Sequence, residues 1–242
     1  MTASELKYDG HDLEALFELK NYQKWIAESF APYLTGFVTE FGAGIGAMSQ
    51  WLVPMADHTD LVEPSANLIG PLEKRFEGDR RVRVINKSLQ DYVNEQDRQS
   101  LDAAVMVNLL EHIEEDTTAL SSLKALLKPA GHLLVFVPAM PALYSKLDRI
   151  VGHHRRYSRN QLLSVATKAG YEVLTLHYFD CLGIIPWWLV NTIAGKTSFD
   201  PRLSQLYDRI GVPITRSLER VVAPPLGKNL LLVARPKRFV NH

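Results

Sequence analysis

Apolar positions in this chain recur first with a helical period and then as short continuous runs. Between about residues 11 and 33, Leu13, Leu16, Phe17, Tyr22, Trp25, Ile26 and Phe30 fall close to helical spacing. Pro32 and Gly36 end that helix, and Phe37 to Phe41 reads as a short strand. Gly42, Gly44 and Gly46 follow directly, with a helical run through Met48, Trp51 and Leu52. Strand, glycine turn and helix in that order open a nucleotide-binding α/β unit. The alternation continues with strands at 58–63, 82–85 and 101–107 and helices at 66–76 and 117–127. A strongly apolar strand at 132–137 is stopped by Pro138. Strands apolar throughout, separated by helices, predict a parallel sheet covered on both faces.

The pattern changes after Pro138. A polar, basic stretch from Lys146 to Arg159 leads into a helix at 160–169, ended by Gly170. Strands are expected at 171–178 and 230–234. The aromatic, proline-marked segment 179–228 between them is far longer than the usual loop of about 4–6 residues. It reads as a mostly helical insertion, a lid rather than a separate domain. Residues 1–35 read as an N-terminal helical cover on one domain spanning 1–242.

Composition narrows the class. The chain has 242 residues, 46% hydrophobic and 22% charged, ordinary values for a globular protein. Lys plus Arg and Asp plus Glu both total 27, so nothing global advertises a polyanion, and nucleic acid is not expected as a partner. Cys181 is the single cysteine, which excludes an internal disulfide and points to a reducing, cytoplasmic setting. The N-terminus lacks the apolar core of a signal peptide. The longest apolar stretch, 181–190, is far below the ~20 residues of a membrane span, so no integral membrane segment is expected.

Three glycines after a strand make only a weak signal, since a tight turn and close helix packing would use them too. Two acids sharpen it. Glu40 ends the first strand, and Glu63 closes the second, where a carboxylate can accept from a ribose diol. Two ligands fit: a dinucleotide, since Gly42, Gly44 and Ala47 satisfy the alanine-ended fingerprint, and S-adenosylmethionine, whose ammonium group needs acceptors such as Glu40. The strand-ending acid favours S-adenosylmethionine. A nicotinamide-dependent oxidoreductase on a similar sheet is the alternative.

The segments 37–46, 61–64, 108–116 and 126–138 resemble the successive motifs of the Rossmann-like (class I) S-adenosylmethionine-dependent methyltransferases. The stretch 147–158, with Gly152, His153, Arg155, Arg156 and Tyr157, then Ala169 to Tyr171 and later Trp187 and Trp188, is similar to one branch of that family. The resemblance implies a seven-stranded, mostly parallel sheet with an antiparallel last strand and helices on both faces. It implies S-adenosylmethionine as cofactor and S-adenosylhomocysteine as product. By the same resemblance Glu40, Gly42, Gly44 and Gly46 hold the methionine end. Glu63 holds the ribose, with Pro64 and Ser65 beside the adenosine. Ser88 stands where the family often has an adenine-binding aspartate, and Leu89 offers a backbone N–H to the ring. Asn108 and Leu109 face the sulfonium region.

The acceptor side is less legible, because methyl transfer needs alignment more than machinery. His153 is the candidate base, and Arg156 the candidate ligand for an anionic or carbonyl group on the acceptor. A purely structural role, pairing with acids such as Asp148, competes for both. Tyr22, Tyr144, Tyr157 and Trp187 complete the expected acceptor site. The acceptor is expected to be a small, planar metabolite methylated on oxygen or nitrogen, with carbon or a sugar hydroxyl as alternatives. No metal is expected: Glu111 and His112 resemble a divalent-ion pair of some quinone-biosynthesis methyltransferases, but Asn108 replaces the acid three residues earlier. Trp187 and Trp188 read as packing or as a lid. Membrane contact is set aside, because no basic amphipathic helix is evident beside them.

Overall fold

The computed structural model describes residues 17–197 and 200–237. The expected positions Leu13 and Leu16 lie outside the described residues. Seven strands form one sheet in the order β3-β2-β1-β4-β5-β7-β6. They are β1 (Phe37–Phe41), β2 (His58–Val62), β3 (Val82–Ile85), β4 (Leu101–Val107), β5 (Leu127–Pro138), β6 (Tyr171–Phe179) and β7 (Asn229–Pro236). Only β7 runs against its neighbours, pairing antiparallel with both β5 and β6. The expected fold class is the one observed.

The central strands β1, β4, β5 and β7 are buried on both faces, which is why they are largely apolar runs, while the edge strands β3 and β6 are partly exposed. On one face Met106, Leu133, Val135 and Leu232 pack against Leu120, Leu123, Leu162 and Ala166 from the Asp116–Lys124 and Arg159–Lys168 helices. On the other, Val105, Phe136 and Leu231 pack against Trp25, Ile26 and Phe30 of the Lys20–Phe30 helix. That helix has no side-chain cap of its own. Its first turn is closed instead by Asp208 of the insertion, which accepts from the backbone N–H groups of Asn21 (3.1 Å) and Tyr22 (2.9 Å). A buried carboxylate against free N–H groups and the positive end of the helix dipole ties the insertion to the N-terminal cover.

The helical run expected after the glycine turn is present and short: Ser49–Leu52 is α-helical, followed by a 3-10 turn at Val53–Met55 whose Pro54 tightens it. Two local expectations change. β5 starts at Leu127, so residues 128–131 belong to the strand rather than to a loop, across an irregularity in its pairing with β4. The stretch after Lys146 holds a helix, Lys146–Ile150, set by a capping box in which Ser145 and Asp148 satisfy each other's backbone.

The insertion is helical, as expected, through Ile184–Trp187, Pro201–Leu206 and Val212–Val221, with π turns at Trp188–Ile193 and Tyr207–Gly211. One expectation about it is overturned. The run 201–221 is a basic amphipathic helix, but its apolar stripe faces outward: Leu206, Ile214 and Leu218 are about half exposed while Asp208, Val212 and Thr215 face in. No helix among the described residues is long and apolar enough to cross a membrane.

Candidate functional site

A cavity of about 380 Å³ opens at the C-terminal edge of the parallel strands, over the point between β1 and β4 where strand order reverses. Open α/β sheets bind ligands there because the strand-to-loop exits diverge and leave a crevice.

One wall is the glycine turn. Gly42, Gly44 and Gly46 have φ of +73°, +55° and +82°, a left-handed backbone that glycine adopts without steric cost. The N–H groups of Gly42 and Ala43 donate to the carbonyl of Val62 at 2.8 and 3.2 Å, lashing the turn to the end of β2. A Cβ on Gly42 would lie 3.0 Å from Leu109 Cδ1, so turn and β4 exit meet closely. Glu63 binds two loops together: Oε2 accepts from the Gly44 N–H at 2.9 Å and Oε1 from the Ser65 N–H at 2.8 Å. A carboxylate has about four lone-pair sites, so two remain for hydroxyl donors.

Glu40 is 3% exposed and accepts from Ser49 Oγ at 2.5 Å. Burial raises its pKa to about 8; the Ser49 bond opposes this and the nearby Glu63 charge adds to it. Burial thus favours the neutral carboxyl of Glu40, and a cation placed beside it would favour the carboxylate. Asn108 ends β4 at φ +50°, a conformation asparagine tolerates, with its N–H donating to the Phe136 carbonyl at 2.8 Å.

The opposite wall is a buried polar cluster. His153 Nδ1 lies 2.9 Å from Asp148 Oδ1, and Arg156 Nε donates to the same oxygen at 2.8 Å. Ser145 donates to Asp148 Oδ2 through its N–H and its hydroxyl, each at 2.8 Å. Burial alone would raise the Asp148 carboxyl; His153, Arg156 and Ser145 hold it below its usual value. The Arg156 guanidinium lies over the Trp187 ring at 4.3 Å. His153 Nε2 faces Glu111 Oε1 at 3.8 Å, and neither oxygen of the fully buried Glu111 makes a hydrogen bond to another residue. Burial raises Glu111 to about 7, against the pull of His153. Glu111, His112 and His153 bring one ligand atom each within 4.8 Å of one another, a grouping among the described residues that runs against the expectation of no metal.

Of the residues expected at the cofactor side, Glu40, Gly42, Gly44, Glu63, Asn108 and Leu109 share this cavity, with Pro64 and Ser65 beside them. Tyr22, His153, Arg156 and Trp187 line it as well. Five other expected residues stand off the cavity wall. Gly46 stands behind the turn, where a Cβ would meet Arg75 Cδ at 2.8 Å, so it serves packing. Ser88 caps the Leu89–Glu95 helix, accepting from the Asp91 N–H and donating to Asp91 Oδ2. Leu89 packs against the core and is off the cavity wall. Tyr144 donates to the His153 carbonyl at 2.7 Å and holds that loop from outside. Tyr157 is 1% exposed and donates to Asp116 Oδ2 at 2.9 Å, which makes it a buried strut.

Lys228 and Asn229 were not anticipated. Lys228 Nζ sits 4.8 Å from the Tyr22 ring centre and pairs with Asp180 at 2.9 Å, while Asn229 Oδ1 accepts from Tyr22 Oη at 2.9 Å. An available signal was the antiparallel last strand, whose first residues must lie where the parallel strands end.

The family model described as a methyltransferase domain matches residues 9–176. No curated protein matches the chain. Among solved structures, the chain is similar to the Haloferax volcanii complex of the Trm112 methyltransferase activator and a methyltransferase, at 14% identity and TM-score 0.64, covering 95% of each chain. An S-adenosylmethionine-dependent methyltransferase from Mesorhizobium loti matches at 14% identity and TM-score 0.59, over 86% of this chain and 95% of that one. Phosphoethanolamine N-methyltransferase 2 of Haemonchus contortus, solved with phosphomonomethylethanolamine and S-adenosylhomocysteine, matches at 17% identity and TM-score 0.60, over 90% of this chain and 53% of that one. At such identities these likenesses concern the fold.

Proposed function

The chain belongs to the methyltransferase-domain family of class I S-adenosylmethionine-dependent enzymes, and from that premise we propose that it methylates an oxygen or nitrogen of a small, planar metabolite. The observation carrying this reading is the two-sided cavity: glycine turn, Glu40, Glu63 and Asn108 on one wall, His153, Arg156 and Trp187 on the other. The first wall fits the cofactor. Its turn brings backbone close without Cβ atoms, its buried Glu40 suits an ammonium group, and Glu63 keeps lone pairs free for a ribose diol. When bound, S-adenosylmethionine supplies an electrophilic methyl on a sulfonium.

The residues of the second wall do the rest. Trp187 and the Arg156 guanidinium stacked on it form an aromatic, cationic wall for a planar acceptor, and Arg156 offers donors to a carbonyl or carboxylate. Asp148 fixes the Nδ1–H tautomer of His153 and leaves Nε2 to accept the proton that the acceptor loses as its lone pair takes the methyl. The insertion, through Trp187, closes this side; we read it as a wall that tightens when both ligands are bound.

Calorimetry tests the cofactor half. S-adenosylhomocysteine should bind and NAD should not; the reverse would assign the chain to nicotinamide chemistry. Because burial favours the neutral carboxyl of Glu40 and an ammonium group beside it would favour the carboxylate, binding should release a proton below about pH 8. Affinity should therefore rise with pH up to about 8 and then level off, and Glu40→Gln should flatten that rise. The same raised pKa makes the ligand-free fold lose stability as pH climbs from about 4.5 to 8, since the unfolded chain gives up this proton earlier.

The three-residue cluster at Glu111 gives a second check. Burial raises the Glu111 carboxyl to about 7, so a hard cation would have to displace a proton held more tightly than on an ordinary carboxylate. EDTA should leave turnover unchanged; loss restored by Mg²⁺ or Mn²⁺ would make His153 a metal ligand instead of a base.

A further inference from the structure

Nearly all large apolar side chains exposed among the described residues lie in one segment. Apart from Ile150, Leu163 and Leu174, they fall between Ile185 and Leu226. In the helical run 201–221 they form a stripe, Leu203, Leu206, Ile210, Ile214, Leu218 and Val221, spaced three or four residues apart and each 48–83% exposed. The run 184–193 adds Ile185, Trp188, Leu189 and Ile193, also outward. A folded chain that ends its work in water rarely shows so continuous an apolar face.

The charges beside the stripe say what covers it. Arg202, Arg209, Arg216 and Arg220 recur at spacings of seven, seven and four, a row along one flank of the same helix. Arg216 is paired with Glu28. Arg202, Arg209 and Arg220 are exposed, as is Lys196. The acids of the segment are turned elsewhere: Asp208 is buried under the Lys20–Phe30 helix, Asp200 caps the helix at Pro201, and Glu219 accepts from the Cys181 N–H. A second copy of this chain would bring identical arginine rows together across a twofold axis with no exposed acid of this segment to meet them. An anionic bilayer satisfies both halves of the surface, apolar stripe in the acyl boundary and arginines at the phosphates. Trp188, half exposed beside the stripe, suits the headgroup level.

We infer that residues 184–197 and 200–222 dock this enzyme flat on an anionic lipid bilayer, through the outward apolar stripe and its arginine flank. The docked face lies one residue from the cavity, since Trp187 forms the wall while Trp188 faces out. No membrane-spanning helix is needed.

The full chain can be tested by co-sedimentation with vesicles of phosphatidylcholine alone and of phosphatidylcholine mixed with phosphatidylglycerol. The wild type should pellet with the mixed vesicles, less so at high salt, and weakly with the neutral ones. Leu206→Ser/Ile214→Ser/Leu218→Ser should weaken the partition roughly 10²-fold or more, with thermal melts unchanged because these side chains are exposed. Arg202→Glu/Arg209→Glu/Arg220→Glu should lose at least about fivefold per arginine on the anionic vesicles only. A wild-type chain that stays in the supernatant with anionic vesicles would overturn the inference. So would a wild-type dimer in sedimentation velocity that the serine variant converts to monomer, since the stripe would then be a contact between copies.

Discussion

Glu63→Ala should weaken S-adenosylhomocysteine binding by roughly 10²–10⁴-fold, the effect of two charge-assisted hydrogen bonds of about 1.5–3 kcal/mol each. The structure adds a second effect. Both Glu63 oxygens accept backbone N–H groups, from Gly44 and from Ser65, so the substitution also leaves two loop ends without their acceptor. Glu63→Gln separates the contributions. Its amide oxygen can keep one backbone bond while the charge is lost, so the melt should recover more than the affinity does. Calorimetric affinity within threefold of wild type in Glu63→Ala would show that the ribose sits elsewhere.

Arg156→Ala should cost about 3–5 kcal/mol, because it strips one cation from a carboxylate, Asp148, that is 0% exposed. For a chain of this size that corresponds to roughly 6–20 °C in Tm. Arg156→Lys restores charge but not the fork that spans Asp148 and the Ala139 carbonyl, so recovery should be partial. Asp148→Asn is the informative companion. It keeps the shape, removes the charge that orients His153, and should lower kcat by about 10²–10⁴ with cofactor affinity unchanged. Full turnover in that variant would make the cluster scaffold alone.

The central strands were readable because burial on both faces leaves apolar runs, and all seven strands overlap their expected places, though β5 begins five residues early, at Leu127. The Lys146–Ile150 helix was not, since five residues within a basic stretch carry no period; its only marks are Ser145 and Asp148, whose meaning as a capping box depends on the turn they create. The cofactor side was legible for a similar local reason: Glu40 and Glu63 stand at strand ends next to glycines. The acceptor side is assembled from residues far apart in sequence, so Tyr144 and Tyr157 were placed in the site by proximity to His153 alone. Lys228 and Asn229 were missed for the converse reason. In the insertion, spacing alone reports that a helix has two faces. Which one points inward was decided by Asp208 and the N-terminal helix it caps, a pairing 187 residues long.

The position of β7 sets an order on biosynthesis. Among the seven strands described it comes last in sequence, yet it lies inside the sheet, between β5 and β6. Until it emerges, both of those strands present unpaired edges across a gap one strand wide, about 10 Å. Such edges recruit other chains, so the nascent chain is exposed to aggregation until β7 is available to fill the gap. A chain cut before Asn229 would be held at that stage.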